Sequence, residues 1–406
     1  LALIYHYHLG PGKNATLRVV LPGLLYGVAI LAKASGMLFG VQAMLVLALC
    51  HLHRTGQLTP PAGSSLRGKF AHLWHATFPL RKDLAGILLI GFVLVFAYTG
   101  SDWGAEPTFI SWAENLPESS TKSVMVEVSH RLRIFPNAGE ALLQQIKHNL
   151  RGHGTFLLGR YHERATPEYF PIALSIKTPA PILALLAAVL LIRPRALATP
   201  LAGIVLVLLL FSLNCRVQIG IRFMFTLMAV LNITLAVGIA RTWSDPAAGR
   251  YVPRWFTALM LAILAGVSVG IWPHGISYVN QLWGGMPDGY HHLGDSNYDW
   301  GQGLPELKSW NHANNHDETL AICYFGTDPA ILFPPFRPIS LYHALRSGSP
   351  VELRQAAGTR FLAVATSVLY GNETDRPGMT NALRYLRSLQ PIGRTQTFLI
   401  FDLTPR

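Results

Sequence analysis

Apolar positions along the chain come in blocks. Residues 18–32 (RVVLPGLLYGVAILA) and 34–52 (ASGMLFGVQAMLVLALCHL) flank Lys33 as a tight helical pair, and similar blocks occupy 84–100, 172–192, 197–214, 221–240 and 255–272. Each approaches the length that about 30 Å of hydrocarbon requires, the first being short for a full crossing. The pattern predicts about seven spans in a mainly α, polytopic membrane bundle. It changes at about Pro273. Short apolar strands are expected at Thr319–Phe325, Arg360–Thr366 and Thr397–Leu403, with helix patterns at Leu304–Trp310 and Met379–Leu389. That order reads as a small α/β domain. The predicted division is therefore 1–273, a membrane domain including a long loop 101–171, and 274–406, a domain outside the membrane.

Composition agrees with this. Half of the 406 residues are hydrophobic and only 13% are charged, more apolar than a soluble chain of this size needs. The net charge of +12 raises the question of nucleic acid. Its bases, however, cluster in short loops between apolar blocks, which is an orientation signal rather than a nucleic-acid groove. His53–Asp83, Arg193–Arg195 and Arg241–Arg254 are the basic links, and the positive-inside rule turns them to the cytoplasm. Counting spans then puts the Lys33 hairpin, loop 101–171, link 214–220 and the terminal domain on the outer side. Loop 101–171 fits, because its acids roughly match its bases.

This sidedness places Lys33, Lys177 and Arg222 at the outer ends of three spans. Each alone would serve as a snorkelling residue. Three on one face suit an anionic lipid phosphate, which Arg grips with two parallel hydrogen bonds and Lys holds as a point charge. Cys50, Cys215 and Cys323 lack metal or redox spacing.

The junction between the two regions is a polar turn, GDSNYDWGQGLPELKSW, at Gly294–Trp310. Asp295, Asn297 and Asp299 suit capping that docks the terminal domain on the membrane part, with Trp300 packing beside the turn rather than offering a face to a sugar. A divalent metal is the alternative: Asp295, Asn297, Asp299 and Glu306 fall on EF-hand positions one, three, five and twelve. The sixth position, which needs glycine, holds Trp300. No cofactor is otherwise indicated.

The same turn resembles the start of the C-terminal domain in bacterial membrane glycosyltransferases of family 39, relatives of the dolichyl-phosphate-mannose–protein mannosyltransferases with the GT-C helical bundle. Further motifs follow that family's order. Gly152-His153, Leu157-Leu158-Gly159, Tyr169-Phe170-Pro171 and Lys177-Thr178-Pro179 resemble its outer loop and span entry. AILAKASG around Lys33 resembles its hairpin, with Ala32 in place of Thr. IGIRFMFTLM around Arg222 resembles its Arg-Tyr…Pro entry, with Phe223 and Thr226 substituted, and Arg160 stands where an acid is expected. YFGTDPA (Tyr324–Ala330) and SVLYGN (Ser367–Asn372) resemble two of its strand-following loops.

The resemblance implies transfer of a sugar from a polyprenyl-phosphate carrier to a lipid, glycan or protein acceptor on the outer face of a bacterial inner membrane. Lys33, Lys177 and Arg222, placed together by the sidedness argument, are then candidate carrier-binding residues, and His153 is a candidate hydrogen-bond partner of the carrier phosphate or sugar. For His153, capping of the preceding helix is the competing role. The family's catalytic Asp stands in its first outer loop, and here that residue is expected upstream of residue 1. Two other classes stay open. A transporter would show related halves and mid-membrane polar groups. A non-catalytic membrane protein with a partner-binding outer domain would share the topology without convergence of the three cations.

Overall fold

The computed structural model describes residues 1–404 except 62, 102, 134–144, 146, 153, 245–250, 342–349 and 372–379. The protein is mainly helical with a small sheet near its C-terminus. Every predicted apolar block carries helix. Among the described residues two helices are long and apolar enough to cross a membrane, Gly36–Arg54 and Ile221–Ser244, and a bent pair makes up to three. The contacts divide the chain into two compact units. One is Leu1–Arg151 with Leu197–Phe211 and Leu227–Ala236, and the other is Gly152–Ala196, Ser212–Thr226 and Val237–Arg406. The composition change at Pro273 marks the end of the apolar helices, whereas the units cut the chain elsewhere.

In the first unit, α1 (Ala2–Leu9) leads through a π-helical turn (Thr16–Val20) into α2 (Leu21–Ala32) and α3 (Gly36–Arg54). α4 (Leu66–Ala76) and α5 (Phe78–Thr99) follow, α5 starting six residues before the apolar block does. Small residues let α2 and α5 approach closely. A Cβ on Gly23 would lie 2.7 Å from Ile90 Cβ, and one on Gly27 would lie 2.9 Å from the Gly91 carbonyl oxygen. This small-residue spacing is the means by which apolar helices associate where lipid removes the hydrophobic drive. Tyr26 is fully buried beside them and donates to the Met37 carbonyl at 2.9 Å. The long loop is not structureless: α6 (Pro107–Glu114) and α7 (Ser120–Arg131) are capped by Glu106 and Ser119.

The second unit begins with a two-stranded hairpin, β1 (Thr155–Leu157) and β2 (Arg160–His162). Leu158 and Gly159 turn it with φ of 51° and 77°. Next come α8 (Tyr169–Lys177) and α9 (Ala180–Ile192). Sequence periodicity predicts a single span over 172–192, and here the structure corrects it: the two helices meet at 108°. Pro179 supplies the reason. It removes an N–H from the ladder and pushes the preceding Thr178 out of the helical region, to ψ 127°. α10 (Pro200–Ser212), α11 (Phe225–Ser244) and α12 (Arg254–Gly270) are the remaining apolar helices.

Beyond Gly270 the chain forms a five-stranded sheet in the order β4-β3-β5-β7-β6. β3 (Leu320–Cys323) lies parallel to both β4 (Phe336–Pro338) and β5 (Phe361–Ala365), whereas β7 (Phe398–Asp402) runs antiparallel to β5 and to β6 (Gly393–Arg394). The three predicted strands are the three central ones. β3 and β5 are buried along their whole length, which is why they read as continuous apolar runs rather than alternating ones. α13 (Leu304–Asn315), α14 (Pro350–Ala357), α15 (Thr366–Tyr370) and α16 (Thr380–Ser388) cover the sheet, and Leu307, Leu353, Leu369 and Leu386 close the core.

Candidate functional site

The polar turn at Gly294–Gly303 is built into the second unit by a few buried groups. Asn297 is 1% exposed. Its Oδ1 accepts from the Ile221 N–H at 2.7 Å, and its Nδ2 donates to the Tyr169 hydroxyl at 2.8 Å and to the Gly294 carbonyl at 3.3 Å. One amide therefore joins the turn to the start of α8 and to the helical turn Ile221–Met224 that precedes α11. Ser296 donates from its Oγ to the Ile219 carbonyl. Gly220 lies against it with φ 151°, and a Cβ there would fall 2.1 Å from Ser296 Oγ. Glycine is required at that position on both counts.

A second set of groups closes the far end of α8. The Asn280 amide donates to the carbonyls of Ser175 and Thr178 at 2.6 and 2.8 Å, while its N–H reaches Ile176. These are carbonyls that a helix end leaves without partners. Lys177, 8% exposed, donates its Nζ to the carbonyls of Ile276 and Tyr278 at 2.7 and 2.6 Å. Lys177 thus fastens segment 276–280 to α8.

Arg222 is differently placed. It sits partly buried in the turn before α11, its guanidinium carbon 5.0 Å from the centre of the Trp300 ring and 5.7 Å from that of Phe223. Trp300 is 48% exposed and meets Phe325 edge-on at 5.8 Å. Trp300 packs beside the turn, against Phe325 and with Arg222 over its ring, while about half of the side chain stays exposed. It is held because Asn297 anchors the turn and because Gln302 Oε1 accepts from the Trp300 N–H at 2.7 Å.

Asp299 lies beneath the same turn, 1% exposed. Its Oδ1 accepts from the Gly301 N–H at 2.9 Å, and the Ser367 main chain approaches the carboxyl, yet Oδ2 makes no hydrogen bond of full geometry. Burial pushes its pKa up to about 7, against the opposing pull of the Gly301 N–H. Among the described residues the hydroxyls of Thr366, Ser367 and Thr397 are likewise buried without hydrogen-bond partners.

The other predicted positions separate. Lys33 belongs to the first unit, exposed in the hairpin between α2 and α3; a Cβ on Gly36 would lie 2.5 Å from the Ala29 carbonyl oxygen, which fixes that turn. His153 lies outside the described residues, as does the Asn372–Thr374 glycosylation sequon. The four residues of the calcium alternative have separate tasks: Asn297 and Asp299 are engaged as above, Glu306 Oε2 accepts from the Gln396 N–H at 3.0 Å, and Asp295 turns the chain with φ 56°. Among the described residues no group of three His, Cys, Asp or Glu side chains is placed to hold a metal ion.

The arrangement has a definite chemical capacity. A guanidinium over a half-exposed indole pairs a cation suited to phosphate with an apolar ring suited to the C–H face of a sugar. Asn280 and Trp300 are the two residues whose roles the sequence alone does not reveal. Family models, curated proteins and solved structures yield no match to the chain.

Proposed function

We propose that this chain belongs to an integral-membrane glycosyltransferase that takes a sugar from a polyprenyl-phosphate carrier and passes it to an acceptor on the outer face of the membrane. The observation that supports this reading is the Arg222–Trp300 pair, 5.0 Å apart at the entry to an apolar helix. The turn that resembles the family 39 glycosyltransferases holds it in place through Asn297. In this reading the apolar blocks form the membrane bundle, with 172–192 entering as a broken segment, the basic links face the cytoplasm, and the sheet domain stands in the periplasm of a bacterium.

The chemistry is a direct displacement with inversion. An acceptor oxygen attacks the anomeric carbon, the bond from that carbon to the phosphate oxygen breaks, and its electron pair leaves on the phosphate. Arg222 stabilises the departing charge more strongly in a water-poor interface than in bulk water. Trp300 carries the sugar. Lys177 holds the floor of the site by tying segment 276–280 to α8. The acceptor proton passes to a general base, which this reading does not assign to a residue.

The test is transfer itself. Membranes from cells expressing the full-length protein, with the segment upstream of residue 1, are given labelled polyprenyl-phosphate sugar, and label is followed into lipid, glycan and protein fractions. The proposal expects transfer that falls at least about tenfold with Arg222→Ala, a loss of about 1.4 kcal/mol. Equal labelling with the variant, or with membranes lacking the protein, counts against it.

A further inference from the structure

The first unit contains a cavity of about 250 Å3 to which the glycosyltransferase reading gives no role. Its walls come from the C-terminal turn of α1, the start of the π-helical turn, the last turn of α3 and the first turn of α5. The polar groups facing it are His8, Arg18, His51, Arg54, Gln57 and Asp83. Lys33 lies at the opposite end of α3, which at about 1.5 Å per residue is nearly 30 Å away. The cavity is therefore distinct from any site that uses Lys33.

The electrostatics of the cavity favour an anion. Arg18 is paired with Asp83 at 2.9 Å, an ion pair without hydrogen-bond geometry at Nε. Arg54 is exposed at the end of α3 and, among the described residues, makes no ion pair and donates no hydrogen bond. Two guanidiniums, Arg18 and Arg54, line it against one carboxylate, Asp83, so the cavity carries net positive charge. The C-terminal carbonyls of α3 oppose an anion there, whereas the first turn of α5 favours one, and the two helix ends roughly offset each other. The guanidiniums decide the balance. Arg54 can offer two parallel donors, and His8 and His51 can add further N–H groups, a set that matches the several acceptor oxygens of phosphate better than the two of a carboxylate.

We propose that this cavity binds a phosphate group, presented either as inorganic phosphate or as the headgroup of an anionic lipid in the inner leaflet. By the charge pattern of residues 53–83 it opens to the cytoplasm. Its volume lies just under the usual range for small-molecule pockets, which suits a headgroup rather than a nucleotide.

Cys50 also lines the cavity and provides the readout. The full chain with Cys215→Ser is placed in phosphatidylcholine nanodiscs, and maleimide labelling of Cys50 is followed while inorganic phosphate is added. A second arm replaces part of the phosphatidylcholine with phosphatidic acid. Slowing of labelling at least fivefold by free phosphate identifies a soluble ligand, and slowing by phosphatidic acid alone identifies a lipid. In either case Arg54→Gln raises the concentration needed for protection at least about tenfold, Arg54→Lys raises it less, and Lys82→Gln, outside the cavity, leaves it unchanged. If Cys50 does not react in the free protein, calorimetric titration of the same variants with the same phosphate probes replaces labelling. Absence of an effect from both probes, protection indifferent to Arg54→Gln, or equal loss with Lys82→Gln overturns the proposal.

Discussion

The Asn297 side chain donates to the Tyr169 hydroxyl at 2.8 Å, across 128 residues of sequence, while its oxygen accepts from the Ile221 N–H at 2.7 Å. Both partners are buried, so the amide is a joint between three segments of the second unit. Asn297→Ala leaves the buried Ile221 N–H unpaired and takes one partner from the Tyr169 hydroxyl, which keeps Thr155, at a cost of about 1–3 kcal/mol. Cys323 supplies a natural probe, because its buried thiol, whose pKa burial raises, becomes reactive only when the sheet opens. In a Cys50→Ser, Cys215→Ser background, thiol labelling of Asn297→Ala is expected at a lower urea concentration than in the parent.

Lys177 gives a prediction that separates structure from binding. Lys177→Met keeps much of the buried aliphatic stem but leaves the carbonyls of Ile276 and Tyr278 without their shared donor. Destabilisation of about 1–3 kcal/mol is expected, read by the same Cys323 labelling. Loss of carrier binding in this variant should accompany loss of stability, whereas Arg222→Ala should weaken binding with stability intact.

The half-exposed ring of Trp300 predicts the contribution of stacking. Trp300→Ala should weaken binding of a polyprenyl-phosphate sugar about tenfold and binding of the unsugared polyprenyl phosphate much less. Arg222→Ala should weaken both about equally. Equilibrium binding of the two carriers in nanodiscs checks the pattern.

Asp299 predicts a pH dependence. Its folded pKa is raised to about 7, well above the usual carboxylate value, because burial disfavours the charged form. The folded state therefore holds a proton that the unfolded chain releases near pH 4. Stability from this group is complete below pH 4 and declines through pH 7, by roughly 4 kcal/mol in all. Urea midpoints of the parent should fall between pH 5 and pH 7.5, and Asp299→Asn should remove that component of the slope.

Much of this architecture was written in the apolar pattern. Leu320–Cys323, Phe361–Ala365 and Phe398–Asp402 were readable because strands buried on both faces carry unbroken apolar runs. β4 and β6 were not, since three and two residues leave no periodicity to detect. The bend between α8 and α9 was announced by Thr178-Pro179, but hydropathy averaged over the block hid it. At the candidate site the sequence identified the cation at Arg222 and the capping turn. It did not place Trp300 beside Arg222, because that contact follows from Asn297 binding Ile221, a pairing of residues 76 positions apart.

The central claim is that Arg222 and Trp300 hold the phosphate and sugar of a lipid carrier. Photocrosslinking with a polyprenyl-phosphate sugar bearing a diazirine on the sugar, mapped by peptide mass spectrometry, tests it most directly. The account predicts adducts on the Asp295–Gln302 segment that compete away with unlabelled carrier and fall with Arg222→Ala. Adducts confined to other segments, or undiminished in that variant, would contradict it.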